Sequence, residues 1–182
     1  AKTEAIATLE GLAIFDGPEE MVFVRSGEYE GKVVLDLCDE QWRVVVIGKE
    51  GWEVATESPI RFRRTRGMLA LPAPVPGGSI NDLRPFINVP TDNDFILVCA
   101  FILGCFNPRG PFIILLVNGE PGSAKSTLCR VLRALIDPNK APLRSEPKDN
   151  RDLAIAANNA WMIGLDNMSY VSERISNALC RL

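Results

Sequence analysis

Histidine is absent from this chain, and the absence removes the common zinc sites that include imidazole. The five cysteines, Cys38, Cys99, Cys105, Cys129 and Cys180, show no CxxC spacing and have no histidine to activate them. Packing is their default role, and a reducing, cytoplasmic compartment is the simplest setting. Long apolar runs are missing too. The longest, residues 95–106, spans 12 positions, short of the roughly 18 needed to cross a bilayer as a helix, so it is read as a buried helix and no membrane partner is expected. The chain opens on Ala1 without a signal-peptide pattern, and it carries no repeats or low-complexity tracts. Excess positive charge is lacking as well: 20 basic against 23 acidic residues give a net charge of -3, so any contact with nucleic acid must be local.

What is present suits a folded domain. The 182 residues allow about one domain and a fraction of another. Hydrophobic residues make up 47% and charged residues 24%, which argues against disorder, collagen and coiled coil.

Three regions follow from the patterning. Residues 1–66 are expected to form a small β module behind a short N-terminal helix, on which Leu9, Leu12 and Ala13 recur at near-helical spacing. From residue 21 to 66, short β-branched runs alternate with polar turns, the mark of a small antiparallel sheet. Residues 67–90 hold Pro72, Pro74, Pro76, Gly77, Gly78, Pro85 and Pro90, a composition that favours an extended linker. In residues 91–182 the pattern turns to alternating helix and strand. Thr91, Asp92, Asn93 and Asp94 supply N-cap chemistry for the apolar helix. Residues 112–117 read as a strand buried on both faces of a parallel sheet. Leu128, Val131, Leu132, Leu135 and Ile136 mark an amphipathic helix stopped at Asp137 and Pro138. Residues 161–165 read as a second buried strand ending at Asp166, with a helix before it and a short strand near Leu143.

Between the first of these strands and the amphipathic helix lies Gly119-Glu120-Pro121-Gly122-Ser123-Ala124-Lys125-Ser126-Thr127. Phosphate binding needs inward-turned backbone N–H groups, glycines that permit the turn, a helix N-terminus, and a lysine that reaches the terminal phosphates. Strand, loop, Lys-Ser and helix stand here in that order. The loop resembles the Walker A pattern G-x-x-x-x-G-K-[ST], with Ala124 at the last glycine position, where alanine resists the positive φ that glycine takes freely. The whole nonapeptide is expected to bind ATP, Lys125 acting on the phosphates and Ser126 on Mg²⁺. Asp166, at the end of the second strand, is the expected metal-holding carboxylate and, with Lys125, the expected catalytic pair. Its bland alternative is a strand cap. Asn167 stands where many ATPases carry a water-activating glutamate, and Glu120 and Glu173 are the nearby carboxylates that would substitute.

Together with Leu143-Arg144-Ser145-Glu146-Pro147, Arg151-Asp152-Leu153, Leu165-Asp166-Asn167 and Leu179-Cys180-Arg181-Leu182, this loop resembles ATP-binding proteins of phages and bacterial mobile elements, which are similar to superfamily 3 helicases and other AAA+ ATPases. The resemblance covers residues 91–182. It implies an α/β P-loop NTPase core, a three-layer αβα sandwich that is incomplete here and preceded by the β module. It also implies ATP hydrolysis with Mg²⁺ coupled to unwinding or remodelling of DNA in mobile-element replication. The closing residues 176–182 run in mid-helix pattern, so the chain is expected to be the first part of a longer ATPase, inactive by itself, whose parent assembles as a homo-oligomeric ring. Two alternatives stay open: a nucleotide kinase-like phosphotransferase, since Gly-x-Pro-Gly-x-x-Lys also resembles nucleotide kinases, and a non-catalytic nucleotide-binding module.

Two weaker signals lie in the β module. Arg61, Arg63, Arg64 and Arg66 form the one dense basic run, expected as a solvated edge strand with DNA-phosphate contact as the other reading. Trp42 and Trp52 are expected as cross-strand core partners, with base stacking as the alternative.

Overall fold

The computed structural model describes residues 2–168 and 170–181. Helix α1 (Lys2–Phe15) forms where the apolar spacing indicates, yet buries no residue: Leu9, Ile14 and Phe15 all face solvent. The β module is a four-stranded antiparallel meander of β2 (Ser26–Tyr29), β3 (Lys32–Asp36), β4 (Val44–Gly48) and β5 (Gly51–Ala55) in sequential order. Beside it, β1 (Val22–Phe23) and β6 (Arg61–Phe62) pair in parallel, so the module is not purely antiparallel. Strand β2 carries no β-branched residue and went unseen in the patterning. Its place is set by pairing with β3, Ser26 opposite Leu35 through Tyr29 opposite Lys32.

The proline-rich stretch, expected to be extended throughout, is anchored at its start and turns helical further on. Leu71 donates to the Leu37 carbonyl at 2.8 Å, Leu69 to the Pro138 carbonyl at 2.9 Å, and Lys140 to the Gly67 carbonyl at 2.9 Å. Further on, Ser79 and Asp82 close a reciprocal capping box on a 3-10 helix (Ile80–Phe86) that delivers Leu83 into the core.

That core lies between α2 (Asp92–Gly104) and α3 (Lys125–Ile136), where Leu83, Phe95, Val98, Phe101, Ile102, Leu128, Leu132 and Ile136 cluster. Thr91 is the N-cap of α2, its hydroxyl accepting from the Asp94 amide. Helices α4 (Asn150–Asn158) and α5 (Glu173–Leu179) pack on each other through buried Leu153, Ala156 and Ile175. The C-cap of α5 is Cys180, and Leu182 lies outside the described residues.

The two expected core strands differ from the sequence reading. Residues 112–117 enter no ladder among the described residues, and most of their side chains stay exposed. Leu115 and Val117 lie on the α2–α3 core, while Phe112, Ile113, Ile114 and Leu116 are exposed. An apolar run becomes a doubly buried strand only if neighbours take its backbone groups and cover both faces; here the α2–α3 core covers only Leu115 and Val117. In residues 161–165 the backbone is claimed by a side chain. The Trp161 and Met162 amides donate to Asp137 Oδ2 at 2.9 and 3.2 Å, and only Leu165 forms a bridge, parallel to Arg144. The named strands among the described residues all lie between residues 22 and 62.

A buried ionic network joins the β module to α3. Arg25, fully buried, donates from Nε to Asp137 Oδ1 at 3.0 Å, and from its two terminal nitrogens to the carbonyls of Asp36 and Leu69. Asp137 Oδ2 also accepts from Arg133 Nη1 at 2.6 Å, and Arg133 reaches the Met162 carbonyl. Thus the end of α3 and the approach to Asp166 share one carboxylate.

Candidate functional site

Helix α3 begins where its sequence turns from glycine-rich to amphipathic. Three left-handed residues bring the chain into it. Gly122 has φ +83°, and Ala124, the N-cap, has φ +63° and ψ +22°. Alanine in that region costs about 1–2 kcal/mol, so the position expected to resist a positive φ adopts one all the same. Gly119 is the third, at φ +157°, and a β-carbon there would come within 2.7 Å of Ser123 Oγ. No side chain caps α3 and its first turn holds no acidic residue, so its leading amides face no anionic group of their own.

The lysine curls over the loop. Lys125 Nζ donates to the carbonyls of Gly119 and Glu120 at 2.8 and 2.7 Å. Ser123 lends its carbonyl to Asn88 Nδ2 at 3.4 Å, whereas its buried hydroxyl has no partner among the described residues. Ser126 Oγ donates to Asp166 Oδ1 at 3.0 Å. The structure thereby brings together two residues 40 positions apart that sequence reasoning had paired only by role. Asp166 is placed by the short parallel contact with Arg144, its amide donating to the Arg144 carbonyl at 2.8 Å. Asn167 follows at φ +61°, its amide turned back to Asp166 Oδ1 at 2.9 Å. Pro121 and Thr127 are exposed. Glu120 is exposed too and serves through its main-chain oxygen, and Glu173 stands exposed at the start of α5.

Cys129 lies one turn beyond Ser126. Burial raises its thiol above the ordinary value, and the nearby Asp166 charge adds to the rise. Burial alone pushes Cys105 up to about 11. Both are packing thiols, as their apolar settings suggest.

The weaker signals resolve in opposite ways. Half of the arginine run is occupied: Arg64 makes a bidentate pair with Asp36 at 2.6 and 2.9 Å, and Arg63 binds the Asn158 carbonyl. Trp42 and Trp52 are not core partners. They are 54% and 44% exposed, Trp52 because it lies on the open face of β5 and Trp42 because it sits in the turn before β4.

Residues 80–182 match the family model of the actinomycete integrative conjugative element replication protein. The chain belongs to that family. The match spans the 3-10 helix, the glycine-rich loop, Asp166 and α5, and so gives this replication protein a role in a mobile element. No curated protein and no solved structure matches it. Among the described residues, no helix is long and apolar enough to cross a membrane.

Proposed function

We propose that residues 80–182 of this replication protein bind ATP with Mg²⁺ at the glycine-rich loop, as part of a P-loop core of the superfamily 3 helicase and AAA+ kind. The bound nucleotide is hydrolysed to drive unwinding or remodelling of element DNA, within a homo-oligomeric ring. The observation that carries the reading is the 3.0 Å contact between Ser126 Oγ and Asp166 Oδ1 at the start of α3. A hydroxyl and a carboxylate side by side make a hard-oxygen pair suited to Mg²⁺, which is bound by one or two protein oxygens plus phosphates and water.

The residues fit the group. The uncapped amides of α3 and the Lys125 ammonium offer positive charge where phosphates would lie. The unpartnered Ser123 hydroxyl supplies one further polar contact inside the loop. To reach a phosphate, Lys125 must exchange its two carbonyl acceptors for phosphate oxygens, and a charge-assisted bond of that kind is the stronger one. Bound Mg²⁺ would neutralise charge on the phosphates, and Ser126 and Asp166 would hold it.

Calorimetry with ATP and adenosine tests this. Lys125→Ala should weaken ATP binding and leave adenosine unchanged, while Asp166→Asn should remove the Mg²⁺ dependence. Equal loss for ATP and adenosine, or an unchanged metal response, would sink the proposal. Asn167 favours a second reading, a nucleotide-dependent module without turnover, because its amide side chain is no base for water. Tight ATP binding with no phosphate release from the longest natural form selects it.

A further inference from the structure

The β module carries a groove of about 270 Å³ remote in sequence from the glycine-rich loop, lined by Trp42, Thr56, Ser58, Ile60 and Arg61 among others. Three observations set it apart from an ordinary crevice. Trp42 is 54% exposed, although tryptophan buries more area than almost any other side chain. Its backbone sits at φ +59°, a rare conformation for a bulky residue, of the kind that costs about 1–3 kcal/mol and gathers at ligand sites. Its indole is also held in place. The Arg64 guanidinium lies 3.7 Å from the ring centroid, and that guanidinium is fixed in turn by both oxygens of Asp36.

The charge in the groove is equally specific. Asp36 lines it, but its side chain is 1% exposed and its carboxylate is taken up by Arg64 and the Cys38 amide, so it presents no free negative charge. Arg61 is exposed and makes no ion pair among the described residues. Ser58 Oγ bridges the main chain of Ile60 at 2.7 and 3.3 Å, which stiffens the wall leading to Arg61. A rigid aromatic face beside a single uncompensated cation matches one base and its neighbouring phosphate. The volume sits at the lower end for ligand sites and suits a ring system of that size. The module as a whole is acidic, with 13 acidic and 9 basic residues in positions 1–66, which disfavours a long duplex laid across it.

We propose that this groove binds single-stranded DNA, with a base stacked in the groove on Trp42 and a phosphate held by Arg61. The site goes beyond the nucleotide reading of the glycine-rich loop and does not depend on it.

The test uses the whole chain without nucleotide, titrated against fluorescein-labelled oligo(dT) twelve nucleotides long. Tryptophan fluorescence should fall on binding, and Trp42→Leu should lose the quench and weaken binding about tenfold or more, the range expected of one base–aromatic stack. Arg61→Ala should reduce the slope of log K against log salt by about 0.7, one phosphate's worth on a single strand. The wild-type protein should also prefer oligo(dT) to an abasic strand of equal length, a comparison that needs no variant. Lys125→Ala should bind oligo(dT) as wild type does. Equal affinity for the abasic strand overturns the proposal, as does tighter binding of duplex DNA. Tighter binding of the corresponding RNA overturns the DNA assignment, and loss of binding in Lys125→Ala would place the strand at the glycine-rich loop instead.

Discussion

Replacing Asp137 by asparagine keeps the shape of the side chain and removes one charge from the network joining the β module to α3. Both oxygens of the carboxylate face donors: Oδ1 meets Arg25 Nε, and Oδ2 meets Arg133 Nη1 and the amides of Trp161 and Met162. Whichever way the new amide turns, its NH₂ group confronts at least one N–H, so no rotamer satisfies the site. Burial pulls Arg133 below its ordinary pKa while the Asp137 charge opposes that pull, so the neutral variant leaves two buried guanidinium groups without their counter-ion. Breaking a buried pair in this way costs about 3–5 kcal/mol. For a chain of this length each kcal/mol moves the midpoint by roughly 2–4 °C, so the melting temperature should fall by about 6–20 °C. Circular dichroism melts checked by urea titration give the number. A fall of less than about 2 °C with an unchanged urea midpoint would show that the network contributes no net stability and refute the argument.

Ala124→Gly should stabilise the chain by about 1 kcal/mol, because glycine adopts the left-handed conformation without the β-carbon clash. Unchanged stability in urea would mean that alanine bears no strain there. Asp39 gives a pH signature. Burial raises its carboxyl, but the hydrogen bonds from Arg43 and the charges of Arg43 and Arg64 outweigh that and leave it below the ordinary value of 3.8. A depressed folded pKa contributes stability that is present above the unfolded value and lost as pH falls through the folded one. The difference in stability between wild type and Asp39→Asn should therefore hold at pH 6, begin to shrink near pH 3.8 and vanish only at lower pH, once the folded carboxyl is protonated; a difference independent of pH would assign Asp39 a purely packing role.

Much of the local structure could be read directly from the residues. The spacing of Leu128, Leu132 and Ile136 placed the buried face of α3, because a helix turns each third or fourth residue to the same side. Thr91 announced the start of α2, since a hydroxyl at that point satisfies an amide the helix leaves open. Lys125, Ser126 and Asp166 were visible as a set by the chemistry each offers, although their contact was not. Arg25 and Asp137 were invisible, because a charged residue reads as solvent-exposed until a partner 112 positions away is brought to it.

By itself, then, the sequence determined what depends on near neighbours: the helices and their caps, most strands of the meander, and the turn-forming loop before α3. Tertiary structure decided what depends on distant partners. It left the run at residues 112–117 mostly exposed, because a ladder needs neighbours that pattern alone cannot supply. It drew the Trp161 and Met162 amides to Asp137 rather than to a strand. It also held Trp42 outward over Arg64, where hydrophobicity alone would have buried it. Local preference acts within a few bonds, whereas burial and hydrogen-bond satisfaction are settled only when the chain folds back on itself.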